Sequence, residues 1–242
     1  KTVWRRIADV LFLLYLLTVA LGLGSHHGIG QEEFHLTTHA LTFLLLAAFA
    51  AIMAASVFTR EKENGTLDLL LTTRLPAKAI VLGALGGLLR SVISLVAFLL
   101  VVLTGGAMLC SQMVIGPAAA INIVVFGGFI LVLGMYMSLV QPTSGRAIGC
   151  TLAILLFLTV GVMALGILLD SHGHSDPPQM VLMACSPSYW VATAPYYHEF
   201  DRNMGGNHGY TMVIVSYTVI TLAMLYKMIG TFDRHMKRQP TL

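Results

Sequence analysis

Charge is what this chain lacks. Only 10% of its 242 residues are Asp, Glu, Lys or Arg, against 57% hydrophobic, and the mean hydropathy is +0.82. An ordinary globular domain carries about 25% charged residues. A water-facing surface cannot be assembled from so little charge, so soluble enzymes, nucleic-acid-binding proteins and disordered chains are excluded together. Three cysteines (Cys110, Cys150 and Cys185) are an odd number without paired spacing, and no disulfide framework follows. No Gly-x-x-x-x-Gly-Lys-Ser/Thr phosphate loop occurs, so the chain does not bind and hydrolyse ATP in the usual way. His-Glu-x-x-His, Gly-x-Ser-x-Gly and Cys-x-x-Cys are missing too, which disfavours protease, hydrolase and oxidoreductase chemistry. No acidic residue falls within an apolar run. Proton- and sodium-coupled carriers usually place such groups inside their spans, which disfavours an independent secondary transporter; a transporter of this composition would need its energy from a partner.

What the chain has is apolar length. Apolar runs at about 10–25, 37–58, 86–109, 114–140, 147–169 and 210–229, charged only at Arg90 and Lys227, each approach the roughly 20 residues a membrane helix needs. The 55 residues from 91 to 145 carry no charge, which is roughly 80 Å of helix at 1.5 Å per residue. That is two spans, and the break falls at Ser111-Gln112 and Gly116-Pro117. The expected fold is all-α: one polytopic membrane domain over 1–242 with six transmembrane helices. A basic, aromatic stretch at Trp4–Asp9 suits an N-terminal interfacial helix. The forty residues 170–209 form the long external connection. Within it, Gln179–Ala194 is too short and too interrupted by Pro187 to span, and is expected to re-enter or lie on the outer leaflet.

Basic residues set the orientation. With a cytoplasmic N-terminus, thirteen of the fourteen lysines and arginines fall inside and only Arg202 falls outside. Acids divide almost evenly, five inside and six outside, as expected when lysine and arginine alone decide topology. Both termini are therefore expected in the cytoplasm.

The densest charge lies in the inner loop after the second span, Arg60-Glu61-Lys62-Glu63-Asn64-Gly65-Thr66-Leu67-Asp68-Leu69-Leu70-Leu71, followed by Thr72 to Pro76. Gly65 suits a turn, Thr66 can cap free amides, and Asp68 complements a helix N-terminus. Leu67, Leu70 and Leu71 fall at i, i+3 and i+4, on one face. Pro76 should stop the helix. An amphipathic helix over about 61–74 follows. It can lie on the inner leaflet, anchored by Arg60, Lys62 and Arg74, or dock into a partner. Glu61, Glu63 and Asp68 favour the partner, because acids sit poorly against an anionic leaflet.

The run Glu-x-Glu-x-Gly-Thr-Leu-Asp-x-Leu-Leu at 61–71, followed by Pro76 and Ile80-Val81-Leu82-Gly83, resembles the signature of type-2 ATP-binding-cassette permeases. The six spans, the basic N-terminal segment and the long fifth connection with Ser186-Pro187 and Ala192–Ala194 resemble that family as well. Apolar residues follow Gly83, where the family often has lysine. The resemblance implies the permease subunit of an exporter in the bacterial inner membrane, built as a dimer with a second copy or homologous half. A separate ATPase would bind ATP and Mg. It further implies that Glu61, Glu63, Gly65, Thr66, Leu67, Asp68, Leu70 and Leu71 contact that ATPase, with no catalytic residue and no cofactor in this chain.

Other residues admit other readings. Eight of nine histidines map outside, and His26, His27, His172 and His174 could supply imidazoles to a metal or to a pH-sensitive outer gate. Met108 and Met113 flank Cys110, and Met180 and Met183 closely precede Cys185. Soft sulfur suits copper, although methionine ordinarily packs cores. A copper-related membrane protein and a structural anchor subunit are therefore the alternatives. Arg90 belongs at the inner rim or in an inner vestibule. Asn122 is expected to hydrogen-bond a neighbouring helix. The spacings Gly83-x-x-x-Gly87 and Gly145-x-x-x-Gly149 permit close helix contact.

Overall fold

A backbone inside hydrocarbon must satisfy its own polar groups, which leaves helices as the solution for sequences of this kind. The computed structural model describes residues 32–67, 75–109, 115–162, 164 and 208–237. Every regular element among them is helical: α1 (Glu32–Ala55), α2 (Val57–Glu63), α3 (Ala77–Leu109), α4 (Ile115–Val140), α5 (Ser144–Leu156) and α6 (His208–Lys237). A π-helical turn at Phe157–Gly161 extends α5.

Four described stretches are long and apolar enough to cross a bilayer: Phe43–Glu63, Ile121–Val140, Ser144–Gly161 and Thr211–Arg234. They fall on the expected second, fourth, fifth and sixth spans. The expected third lies inside the 33-residue α3. The first span, the N-terminal interfacial helix and the external segment 170–209 lie outside the described residues.

Two boundaries differ from expectation for local reasons. The second span does not end near residue 58. It breaks at Ser56, whose hydroxyl donates to the Met53 carbonyl at 2.9 Å, a side-chain bond that competes with the helical ladder. The helix then resumes as α2 through Arg60-Glu61-Lys62-Glu63. Pro76 opens the helix that follows it. Its carbonyl accepts the amides of Ala79 and Ile80 at 2.8 and 3.3 Å, and a residue without an N–H is least costly at a helix start.

α4 is the axis of the bundle and packs against all five other helices. From Phe129 to Met135 it is buried on every side. Against α1 it comes close because the facing residues are small. Ala47, Ala50, Ala51 and Ala54 line one face of α1, and a Cβ added at Gly134 would lie 2.6 Å from that of Ala54. The glycine pairs singled out by spacing show no such approach among the described residues, where a Cβ at Gly83, Gly87, Gly145 or Gly149 meets nothing within 4 Å. Small residues matter only where another backbone is near, and spacing alone does not show that.

α6 grips the axis at two levels. Tyr217 stands edge-on to Phe126 and Phe129, with ring centroids 4.6 and 5.1 Å apart. Phe232 meets Phe58 of α2 at 5.0 Å. Offset and edge-to-face pairs of this kind add to simple burial. Elsewhere α6 turns apolar residues outward, among them Met212, Val219 and Tyr226. In a soluble protein that surface would be a liability, whereas in a bilayer it is the lipid-facing side.

Asn122 corrects another expectation. It is fully buried in α4, yet neither its Nδ2 nor its Oδ1 has a hydrogen-bond partner among the described residues. Between α1, α3 and α4 lies an apolar cavity of about 310 Å³, lined by Phe43, Leu46, Leu89, Val92, Ile123 and Leu131 among others. Arg90 follows Leu89 and is exposed, thirteen residues and about 20 Å beyond the start of α3.

Candidate functional site

The charged end of the bundle is assembled from helix ends that cannot cap themselves. α4 has no basic residue in its last turn. α5 has no acidic residue in its first turn, and its N-cap residue Thr143 makes no side-chain capping bond. Each end carries orphan backbone groups and part of a macrodipole charge, negative at the end of α4 and positive at the start of α5. Two neighbouring residues of α2 complete both. The Lys62 ammonium donates to the carbonyls of Ser138 at 3.1 Å, of Gln141 at 3.0 Å, and of Leu139. The Glu63 carboxylate accepts the Ser144 amide at 2.7 Å, and the Ser144 hydroxyl lies 2.8 and 3.1 Å from its two oxygens. The cation meets the negative end and the anion the positive one.

The favour is returned at the start of α2. The break at Ser56 leaves the amides of Phe58 and Thr59 without partners in their own helix. The buried Ser138 hydroxyl of α4 accepts both, at 2.8 and 2.9 Å. The Thr59 hydroxyl donates to the Ala55 carbonyl at 3.0 Å. Three helix ends are thus completed by residues of other helices within a few turns of one another.

Beyond Glu63 the chain turns sharply. Asn64 closes α2 through its amide to the Arg60 carbonyl at 3.0 Å, and the Gly65 amide reaches the Lys62 carbonyl at 3.1 Å. Gly65 has φ +69°. A left-handed glycine bonded back into the last turn is the usual way to end a helix and redirect the chain. Asn64, Gly65 and Thr66 are all exposed, so the turn projects from the bundle.

The residues expected to meet a partner are therefore not equivalent. Glu61 is half-buried and accepts the Thr66 hydroxyl, through its carboxylate and through its carbonyl at 3.3 Å. Glu63 remains exposed but is engaged by Ser144. Leu67 is half-buried and packs against the hydrophobic core. Asp68, Leu70 and Leu71 lie outside the described residues, as do His26, His27, His172 and His174. Among the described residues, no group of three or more His, Cys, Asp or Glu converges as a metal site would require. Sequence reasoning named Lys62 only as a leaflet anchor, and missed Ser138 and Ser144. The available signal was indirect, since both helix ends flanking residues 141–143 lack a complementary charge of their own.

A charged, helix-anchored turn at one end of an apolar bundle is the arrangement a membrane protein needs to present a loop to something outside the bilayer. The family model described as ABC-2 family transporter protein matches residues 16–226. The chain belongs to this family. The match runs through every described helix, ending within α6. No curated protein matches the chain. As an ABC-2 permease it is an integral membrane component of an ATP-binding-cassette transporter, and a transport subunit, not a catalyst. Permeases of this family generally pair with an ATP-binding subunit.

Proposed function

We propose that this permease is the membrane half of an ATP-driven exporter and that the segment from Glu61 to about residue 74 is its coupling helix. In this reading the chain has six spans, with both termini in the cytoplasm of a bacterial inner membrane. It works as a dimer with a second copy or a homologous half. ATP and Mg are held by a separate ATPase subunit, and closure of two such subunits pushes on the coupling segment. The spans then exchange inward- and outward-facing arrangements. The single observation that carries the reading is the exposed turn Asn64–Thr66, redirected by a left-handed Gly65 at the end of the second span of a family member. Glu61, Gly65, Thr66, Asp68, Leu70 and Leu71 would face the ATPase, with Leu67 supporting them from the core side.

The cargo follows from polarity only. The cavity between α1, α3 and α4 has apolar walls, which suits amphiphilic or lipidic molecules more than ions. An exposed arginine that faced acyl chains near the bilayer centre would cost about 2.5–3.5 kcal/mol on insertion scales, which favours the inner vestibule or the rim for Arg90.

Co-purification with the co-expressed ATPase tests the assignment. Leu70→Asp should abolish retention of the ATPase while leaving the permease folded and membrane-inserted. Retention equal to wild type would refute the coupling-helix reading.

A further inference from the structure

The turn that ends α2 is not free to move by itself. Lys62 holds the carbonyl end of α4, Glu63 holds the amide end of α5, and Ser138 of α4 holds the first amides of α2. These bonds span 76 to 81 residues of sequence. They converge on the short connection 141–143, where α4 gives way to α5. A push on the turn therefore has a hydrogen-bonded route into both helices, and not only into the span from which it projects.

We propose that Lys62 and Glu63 form a clasp that makes α2 and the α4–α5 connection move as one rigid unit. As positioning residues, they would carry displacement of the coupling segment to α5, a span that touches neither α3 nor α6 extensively and packs instead on α1, α2 and α4. The proposal rests on the coupling reading for the source of the push, but the clasp itself does not. It also gives Glu63 a different role from its neighbours in the Glu-x-Glu motif. Its carboxylate is a cap for α5 and not an ATPase contact. Two features of the geometry favour a transmitting element over simple stabilisation. The two residues are adjacent on one short helix, so a displacement of its backbone acts on both sets of bonds. They also act on opposite ends of consecutive helices, so each bond resists a different motion: Lys62 resists withdrawal from α4, and Glu63 resists rotation of α5 away from it.

The test uses the full chain in lipid nanodiscs with its ATPase. Spin labels go on Cys150, an exposed native cysteine of α5, and on Arg60→Cys, an exposed position of α2 before the turn, with Cys110 and Cys185 replaced by serine. The label-to-label distance is measured without nucleotide and after trapping with ATP and vanadate. In the otherwise wild-type chain the distance should be single and unchanged by trapping. Glu63→Ala and Lys62→Met should each broaden it, Ser144→Ala should broaden it less because the backbone amide still bonds Glu63, and the Glu63→Ala/Ser144→Ala pair should add nothing to Glu63→Ala alone. Glu63→Gln, which keeps an acceptor oxygen, should restore most of the narrow distribution. All variants should retain the ATPase. A wild-type distance that shifts on trapping, or variants that leave the distribution unchanged, would overturn the clasp. So would loss of the ATPase in Glu63→Ala but not in Ser144→Ala, because that pattern makes Glu63 a partner contact. If even the wild-type chain fails to hold the ATPase, it is the coupling reading that fails, and the nucleotide-free distances still decide the clasp.

Discussion

Gly134 and Asn122 are two positions on α4 where one side chain decides the packing, and they pull in opposite directions. Gly134→Ala would set a methyl 2.6 Å from the Ala54 Cβ and 3.0 Å from the Ala55 amide nitrogen. Backbone atoms cannot yield as a flexible side chain does, so α1 and α4 must separate. Overpacking of this kind costs about 1–3 kcal/mol, and thermal unfolding in detergent should register a lower Tm. Adding Ala54→Gly should recover part of the loss, since it removes one of the three close contacts. Asn122→Leu should do the reverse. A buried amide without partners forfeits about 1–3 kcal/mol of hydration, so an apolar group of similar shape should raise the Tm. A fall would mean that Asn122 is bonded by residues outside those described. Neither position could be read from composition. Glycine is common in this chain, with 23 copies, and among the described ones only the approach of a second helix backbone distinguishes Gly134.

Helices were the legible part of the sequence, because an uncharged run of membrane length has few other fates. α4 and α6 fall on the apolar runs read from the sequence, and charge located the loop after the second span. The contacts that organise this loop were not legible. Lys62 bonds backbone carbonyls, which every residue possesses, so no side-chain pattern announces the partner. Leu67 matched an amphipathic spacing but packs inward on the core, since spacing identifies a face without saying what covers it. Two expectations belong to these elements. Lys62→Met keeps the length and loses the donors, leaving the last carbonyls of α4 unpaired. It should lower stability by about 1–2 kcal/mol in the same melting assay. Gly65→Ala forces a Cβ into a left-handed conformation at an estimated 1–2 kcal/mol. Nothing among the described residues lies within 4 Å of the added atom, so its effect should appear as a displaced turn. Weaker ATPase retention with an unchanged Tm is the outcome to look for.

For the whole molecule, topology is the property that ties sequence to function. An impermeant thiol reagent applied to sealed, right-side-out spheroplasts should leave Asn64→Cys unmodified in a chain lacking the native cysteines, and should modify it once the inner face is opened. Modification from outside would overturn the orientation proposed from the basic residues. The inter-helix bonds at this end also bear on how the permease is made. Lys62 and Glu63 leave the ribosome some eighty residues before the carbonyls and amide they will bond. Until α4 and the start of α5 have entered the bilayer, both charges have only water for company. Closure of this end therefore coincides with delivery of α4 and α5 in the right order and direction. A span inserted backwards would leave a lysine and a glutamate with no helix ends to meet, a visible mark of misassembly for quality control at the membrane surface.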